Sequence, residues 1–278
     1  MFKIFLKKKK VKTYLLVMIF FSFFIFIVWY FYSQPQKTVV NFFDVGQGDS
    51  SLIITPNKKT ILIDGGPDNT VLRRLGDSLP FYRRQIDLII FSHFHDDHIT
   101  GLIEVLKRYR VKRIIYVINE FTPPILKILL DLAQQQKIIM TPITTNAELN
   151  LAPNCLIDFL NPGTLGVKDD QNNSLLVKFF CENKKYLFTG DNSAAVEKAL
   201  LSSTWDLSAD VLKISHHGSN TASIAAFLQK VNPQLAVISV GRDNNFGHPS
   251  PIVLERLNKL NIKFKRTDEL GSFKITTP

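Results

Sequence analysis

Residues 92–101 read Ser-His-Phe-His-Asp-Asp-His-Ile-Thr-Gly and follow an apolar run that ends at Phe91. Four side chains in this stretch are able to bind a metal ion, namely His93, His95, Asp97 and His98. In extended chain the first two point to one side and the intervening Phe94 points to the other, so the two imidazoles can share one ion. Asp97 and His98 lie past the strand end, ahead of a helix expected over residues 99–110, and can hold a second ion. The stretch therefore predicts a two-metal site at the end of a buried strand.

Further polar motifs are spread along the chain and must converge if they serve one site. They are Asn41-Phe-Phe-Asp-Val-Gly-Gln-Gly-Asp-Ser50, Leu62-Ile-Asp-Gly-Gly66, Leu187-Phe-Thr-Gly-Asp191, Leu212-Lys-Ile-Ser-His-His-Gly-Ser219 and Gly247-His-Pro249. Together with residues 92–101, these motifs resemble the metallo-β-lactamase superfamily of hydrolases. The first and last are similar to the C-terminal hydrolase-like domain of ComEC-type DNA-uptake (competence) proteins. The resemblance covers roughly residues 38–278.

The resemblance implies a metal-dependent hydrolase with two divalent ions. The metal ligands that it implies are His93, His95, Asp97, His98, Asp191 and His217. Asp191 matches the residue that bridges both ions in the family, although an Asp at a helix start would look the same. Asp64 matches a position that supports the histidine ligands by hydrogen bonding, and a turn Asp before two glycines explains it equally well. Nitrogen and carboxylate ligands without a thiolate suit zinc or manganese.

The order of predicted elements indicates an α/β fold. Strands are expected near residues 38–43, 52–55 and 60–63, and the pattern then alternates between strands and helices; a second half repeats this organisation from residue 156 onward. Strands that end in ligands, followed by helices on the outer faces, predict two sheets packed between helical layers. This is the αββα sandwich that the resemblance also implies.

Three residues are predicted to serve catalysis: Asp97, His216 and His248. His216 and His217 end a predicted strand, where adjacent residues point in different directions, so one can ligate a metal while the other faces substrate. We favour His217 as the ligand and His216 as an acid or a phosphate contact. His248 stands just before a helix start at Ser250 and can donate to a substrate anion, although a loop histidine with no role explains it equally well.

No histidine occurs between residues 99 and 190, where many superfamily members carry another ligand. Asp170-Gln-Asn-Asn-Ser174 occupies that stretch, so Asn172 or Asn173 is a candidate contact to ion or substrate, and Ser219 is a further candidate substrate contact. A plain turn explains the asparagines equally well.

Residues 14–32 carry no charge, and 19 residues at about 1.5 Å each reach roughly 28 Å, close to the apolar thickness of a bilayer. Six lysines precede this segment, which predicts a single-pass anchor in the cell membrane with residues 1–13 as a cytoplasmic tail. Residues 33–37 are then a linker, and residues 38–278 are an extracytoplasmic hydrolase domain. A cleaved signal peptide and a buried core helix are the alternatives.

The net charge of +10 comes largely from the same lysines, since the rest of the chain carries only +4. The clearest other basic run, residues 107–113, is expected at the end of the sheet away from the site, where a solvated face or lipid headgroups suit it at least as well as DNA. Cys155 and Cys181 are expected as buried free thiols, although an outward-facing domain permits one disulfide bond.

The leading hypothesis is a membrane-anchored phosphodiesterase or nuclease that acts on DNA or another nucleic acid outside the cytoplasm. The alternatives are a phosphodiesterase of small molecules or envelope polymers, such as a phosphorylcholine esterase, and a non-catalytic, metal-stabilised DNA-binding module of an uptake system. The expected partners are membrane lipid, DNA and a separate channel or competence component. The sequence leaves the oligomeric state open.

Overall fold

The computed structural model describes residues 2–33, 37–118, 123–160, 162–167 and 173–277, with the side chains of residues 12, 14–27, 29 and all described positions from 37 onward. The chain divides into two compact units, Met1–Gln36 and Lys37–Pro278. Most of the predicted linker, residues 34–36, lies outside the described residues.

The first unit contains one helix, α1 (Phe2–Ser33), whose described apolar side chains, such as Phe20 and Phe24, are exposed. Within the described part of the chain, no helix is both long enough and apolar enough to cross a membrane, so the transmembrane helix predicted at residues 14–32 is not supported.

The second unit is built on two seven-stranded sheets. The first sheet contains β1 (Val39–Phe42), β2 (Ser51–Ile54), β3 (Thr60–Ile63), β5 (Leu88–Phe91), β7 (Arg113–Val117), β8 (Ile139–Ile143) and β16 (Phe273–Thr276). The second contains β9 (Ala147–Ala152), β10 (Cys155–Leu160), β11 (Leu176–Cys181), β12 (Lys184–Phe188), β13 (Val211–Lys213), β14 (Leu235–Ile238) and β15 (Lys263–Arg266). A short ribbon pairs β4 (Gln85–Ile86) with β6 (Arg110–Val111).

Each sheet combines an antiparallel part with a parallel part. The strand orders are β16-β1-β2-β3-β5-β7-β8 and β15-β14-β13-β12-β11-β10-β9. In the first sheet β3, β5, β7 and β8 are parallel, and in the second β12 to β15 are parallel. The carboxyl ends of parallel strands therefore gather at one edge of each sheet, which is where open α/β sheets hold their sites.

Helices cover the outer face of each sheet. They are α2 (Thr70–Ser78), α3 (Asp96–Arg108) and α4 (Pro124–Gln135) on the first sheet, and α5 (Ala194–Leu201), α6 (Ala225–Val231) and α7 (Pro251–Lys259) on the second, with the short α8 (Thr267–Leu270) after β15. Alternation along β3 shows the layering, since Ile61 and Ile63 point into the core between the sheets while Leu62 points toward the helices. The predicted αββα sandwich is confirmed.

Two local expectations need correction. Helix α3 begins at Asp96 rather than at residue 99, because His95 is the extended residue before it and two aspartates in its first turn favour the positive end of the helix. Cys155 and Cys181 are not free thiols. They face each other across the antiparallel pair of β10 and β11 and form a disulfide bond.

Candidate metal centre

A first group of possible metal ligands lies where β5 ends. His93 is buried just past the strand, and its Nε2 lies 3.0 Å from His95 Nδ1. Asp191 approaches from the loop after β12, with its Oδ2 3.9 Å from His93 Nε2. One donor atom from each residue falls within 4.8 Å of the others, so the three side chains can share an ion.

A second group lies beside the first and shares Asp191 with it. Its other members are Asp97 and His98, from the first turn of α3, and His217, from the loop after β13. His98 Nε2 lies 3.4 Å from Asp191 Oδ1, and His217 Nε2 lies 3.5 Å from Asp191 Oδ2. His217 Nε2 also lies 3.1 Å from Asp97 Oδ2. Asp191 thus stands between two clusters of nitrogen and oxygen donors.

The donor set fits divalent cations. His98 Nε2 and Asp191 Oδ1 are both buried and have no hydrogen-bond partner, and a cation between them would satisfy both. Two ligands that bind one ion at about 2.1 Å with tetrahedral angles lie about 3.4 Å apart. The separations of His98 and His217 from Asp191 match that spacing. The six side chains predicted as ligands are therefore brought together.

The pKa values reflect this crowding of imidazoles and carboxylates. Burial alone would lower the pKa of His98, but Asp191 and Asp97 raise it well above its ordinary value. Burial also opposes protonation of His217, yet Asp191 raises its pKa well above the ordinary value. The pKa of His93 is held well below its usual range by burial and by His98. The cluster therefore attracts positive charge strongly.

Asp64 directly follows β3 and supports the histidines from behind. Its Oδ2 lies 3.0 Å from His98 Nδ1. It also accepts hydrogen bonds from the Ser92 backbone N–H at 2.8 Å and from the Ser92 hydroxyl at 2.9 Å. The same hydroxyl lies 3.0 Å from His93 Nδ1. Asp64 is thus placed to orient one histidine directly and another through Ser92.

The side chains of His216 and His217 point in different directions because of a left-handed backbone turn, and not because of strand alternation. Both residues adopt left-handed conformations, with φ of 49° and 52°. The turn sends His217 inward and leaves the His216 side chain 30% exposed, with its Nε2 3.9 Å from Asp191 Oδ2. The His248 ring lies 5.9 Å from the His216 ring. His216 and His248 therefore sit together at the opening of the site.

The predicted substrate contacts are placed less favourably. Asn172 lies outside the described residues, and the Asn173 amide donates to the carbonyl of Val167 at 3.0 Å. The Ser219 hydroxyl is buried and lies 2.9 Å from the Thr221 hydroxyl.

Comparison with known proteins agrees with this geometry. Residues 43–153 match the model of the metallo-beta-lactamase superfamily. Over this stretch the chain resembles a metallo-beta-lactamase domain. The chain is 26% identical to ComE operon protein 3 of Bacillus subtilis, over 89% of this chain and 34% of that protein, and 27% identical to Recombination protein 2 of Haemophilus influenzae, over 85% and 28%. It is 34% identical to competence protein ComA of Neisseria gonorrhoeae over 42% of this chain and 17% of that protein.

The chain spans about a third or less of the length of these curated relatives, and it resembles competence proteins of the ComEC type, as the motifs predict. Among solved structures, the fold is similar to the metallo-beta-lactamase fold protein YhfI from Bacillus subtilis, with a TM-score of 0.57, 14% identity, and coverage of 87% of this chain and 100% of that one. It is also similar to Igni18, a metallo hydrolase from Ignicoccus hospitalis, with a TM-score of 0.53, 16% identity, and coverage of 87% and 99%.

Sequence reasoning missed a buried ion pair behind the candidate metal centre. Lys213 Nζ contacts Asp49 Oδ2, and the two side chains are only 3% and 8% exposed. Asp49 Oδ1 lies 3.3 Å from His217 Nδ1, which also lies 3.0 Å from the carbonyl oxygen of Ser239. Burial would raise the pKa of Asp49, but Lys213 and His217 outweigh it and lower that pKa. A single lysine within the apolar run of β13 was the signal that could have identified the pair.

A second missed feature holds the Asp191 backbone. The Ser174 hydroxyl accepts a hydrogen bond from the Asp191 N–H at 2.9 Å. The Asn192 side chain makes two hydrogen bonds to the Ser174 backbone. Its Oδ1 accepts from the Ser174 N–H at 3.1 Å, and its Nδ2 donates to the Ser174 carbonyl at 2.9 Å. Ser174, the residue after the candidate asparagines, therefore holds the backbone of Asp191 in place.

Proposed function

We propose that this chain is a metal-dependent hydrolase of phosphodiester bonds, with DNA or another nucleic acid as its substrate outside the cytoplasm. The observation that carries the proposal is the position of Asp191, whose carboxylate belongs to both ligand groups. One carboxylate between two clusters of imidazoles suits a pair of divalent ions, as two-metal phosphodiester hydrolysis requires.

The first ion would be held by His93, His95 and Asp191, and the second by Asp97, His98, His217 and the same Asp191. Zinc and manganese both suit these ligands. When bound, such a pair activates a water molecule and neutralises charge on a phosphoryl oxygen.

The chain's own side chains contribute proton transfer and orientation. His216 Nε2 faces the site at 3.9 Å from Asp191 and is accessible from solvent, so it can give a proton to the departing oxygen. The Thr221 hydroxyl lies 3.3 Å from His216 Nδ1 and orients the ring. His248 would contact a phosphate oxygen, a role that the 5.9 Å separation between its ring and that of His216 supports. Asp97 Oδ2 lies 3.1 Å from His217 Nε2, close enough for both atoms to reach the second ion.

The proposed location is the outer side of a membrane, with residues 14–32 as an anchor and the N-terminus in the cytoplasm. The uncharged segment behind six lysines supports this orientation. A disulfide bond between Cys155 and Cys181 is typical of oxidising compartments. Membrane lipid and a separate channel or competence component are the proposed partners.

External protease applied to intact cells should digest the domain while an N-terminal tag stays protected, and protection of both would refute the topology.

Nuclease assays on the full chain with Mn²⁺ or Zn²⁺ test the activity. His95→Ala and Asp191→Ala should abolish cleavage of DNA, whereas Asp131→Ala, which changes an exposed carboxylate on α4, should retain it. Activity that is indifferent to the first two changes would refute the proposed centre. Much faster turnover of small chromogenic diesters than of DNA would instead indicate a phosphodiesterase of small molecules or envelope polymers. Tight DNA binding without cleavage under either metal would indicate a non-catalytic module.

A further inference from the structure

An exposed aromatic ring stands on the loop that carries His248. Phe246 is 68% exposed, although it lies only two residues before a histidine of the candidate site. Its ring stacks against the His248 ring, with centroids 5.9 Å apart and planes inclined by 22°. Phe246 thus packs beside a histidine ring, and most of its own ring is open to solvent.

A row of rings connects Phe246 with the ligand cluster. His217 and His216 have centroids 6.1 Å apart, and His216 and His248 have centroids 5.9 Å apart. Exposure rises along the row, because His217 is buried, His216 and His248 are partly exposed, and Phe246 is largely exposed. The row therefore leads from the candidate metal ligands outward to the surface.

The loop that presents Phe246 is held in shape by one side chain. Asn244 Nδ2 donates to the carbonyl oxygens of Gly241 and His248 at 2.9 and 2.7 Å. Asn244 Oδ1 accepts from the N–H groups of Phe246 and His248 at 3.2 and 2.9 Å. Because these four bonds close the loop on itself, little conformational freedom remains to be lost when a ligand binds the ring.

The same loop is docked onto the turn that carries His216. The Ser250 N–H donates to the Gly218 carbonyl oxygen at 2.8 Å. A Cβ added to Gly218 would lie 2.7 Å from Pro249 Cβ, so glycine permits this close contact. The spacing between Phe246 and His216 is therefore fixed by packing, and a substrate that spans both meets a preformed surface.

We propose that Phe246 is the platform on which a nucleobase of a single-stranded substrate stacks while the neighbouring phosphodiester reaches His216 and the metal ligands. This inference rests on the proposed function. An exposed phenylalanine contributes no burial free energy to the fold. Its open aromatic face can, however, bind the planar face of any base. A quaternary ammonium group is the weaker candidate, since such cations are usually enclosed by several rings and the described residues place only His248 against Phe246.

The test compares two oligonucleotides on the full chain with Mn²⁺. One is ordinary single-stranded DNA, and the other has the same backbone with abasic sites in place of bases. Phe246→Ala should raise KM for the ordinary strand about 5- to 30-fold, which corresponds to about 1 to 2 kcal/mol of stacking, with little change in kcat. The same change should leave KM for the abasic strand unaltered, and Phe246→Trp should retain the wild-type KM for both.

Phe81→Ala is the matched control, because Phe81 is 86% exposed on the loop after α2, at the opposite edge of the first sheet. It should leave both KM values unchanged. An equal effect of Phe246→Ala on both strands, or no effect on either, would overturn the platform while cleavage by the wild type upholds the proposed function. If the wild type cleaves neither strand, the proposed function fails and the platform fails with it.

Discussion

Breaking the buried ion pair between Lys213 and Asp49 is expected to destabilise the fold by several kcal/mol. Lys213→Met keeps the length of the side chain and removes its charge, which leaves the buried Asp49 carboxylate without its lysine partner, although His217 stays close to it. Removal of one partner from a buried pair typically costs about 3 to 5 kcal/mol. Both side chains are less than one-tenth exposed, so little solvent is at hand to replace the lost contact.

The reverse change should be milder. Asp49→Asn leaves Lys213 Nζ 3.4 Å from the carbonyl oxygen of Gly190 and 4.0 Å from Asp191 Oδ1, and these oxygens partly replace the lost carboxylate. We expect a cost of about 2 to 3 kcal/mol, below the usual range for broken buried pairs. The double variant should be about as stable as Asp49→Asn alone. Once Asp49→Asn has removed the carboxylate, Lys213→Met no longer leaves a buried charge without its partner.

Thermal and urea unfolding of the four proteins, measured in EDTA so that metal binding does not contribute, gives the coupling energy. A loss of 3 to 5 kcal/mol corresponds to a fall in Tm of about 6 to 20 °C for a domain of this size. Because the double variant should cost no more than Asp49→Asn alone, the coupling energy should equal the cost of Lys213→Met, about 3 to 5 kcal/mol, at or above the upper end for residues in direct contact. Costs that add within about 0.5 kcal/mol, or a neutral Lys213→Met, would refute the reasoning.

Three further predictions concern metal binding, the disulfide bond and pH. Asp191→Ala should abolish the stabilisation that Mn²⁺ or Zn²⁺ gives the wild type, about 2.7 kcal/mol at 100 times Kd, while Asp131→Ala keeps it; a calorimetric Tm that still rises in Asp191→Ala would contradict the shared ligand. Reduction of the Cys155–Cys181 bond, which joins residues 26 apart, should lower the free energy of unfolding by about 3.5 kcal/mol in urea titrations with and without reductant, and identical curves would argue against the bond. Burial raises the pKa of Glu197 from 4.5 to about 7, so its stabilising contribution is complete below about pH 4.5 and is lost as pH rises through 7. Between pH 5 and 8 the wild type should therefore lose about 2.5 kcal/mol relative to Glu197→Gln, and parallel pH profiles of unfolding would disprove this.

The sequence alone was sufficient to predict the layers of the fold and the candidate metal ligands that stand in compact motifs. Alternating apolar patterns and polar residues at strand ends predicted both halves of the sandwich, because each signal lies within a few neighbouring residues. His93, His95 and His98 could be identified for the same reason. Asp191 needed the resemblance, since an Asp after a strand is ordinary by itself.

Features that depend on pairing between distant segments could not be read in this way. Asp49 stands in a motif that was recognised, but its partner Lys213 lies in the other half of the domain. The bond between Cys155 and Cys181 depends on the register of β10 against β11, which neither strand reveals alone. Asn173 was a candidate contact because of its position in a polar stretch. Its amide nitrogen donates to the Val167 carbonyl, and its buried Oδ1 has no hydrogen-bond partner among the described residues, so the role stays a prediction.

The division of ligands between the two sheets has a consequence for how the protein acquires its cofactor. His93, His95, Asp97 and His98 come from the first half of the domain, while Asp191 and His217 come from the second. Neither half by itself offers a complete set for either ion, so high-affinity capture of metal must wait until the two sheets have docked. Metal uptake during refolding would then report the last stage of assembly, and a nascent chain that has emerged only as far as β11 would be unable to retain the ions.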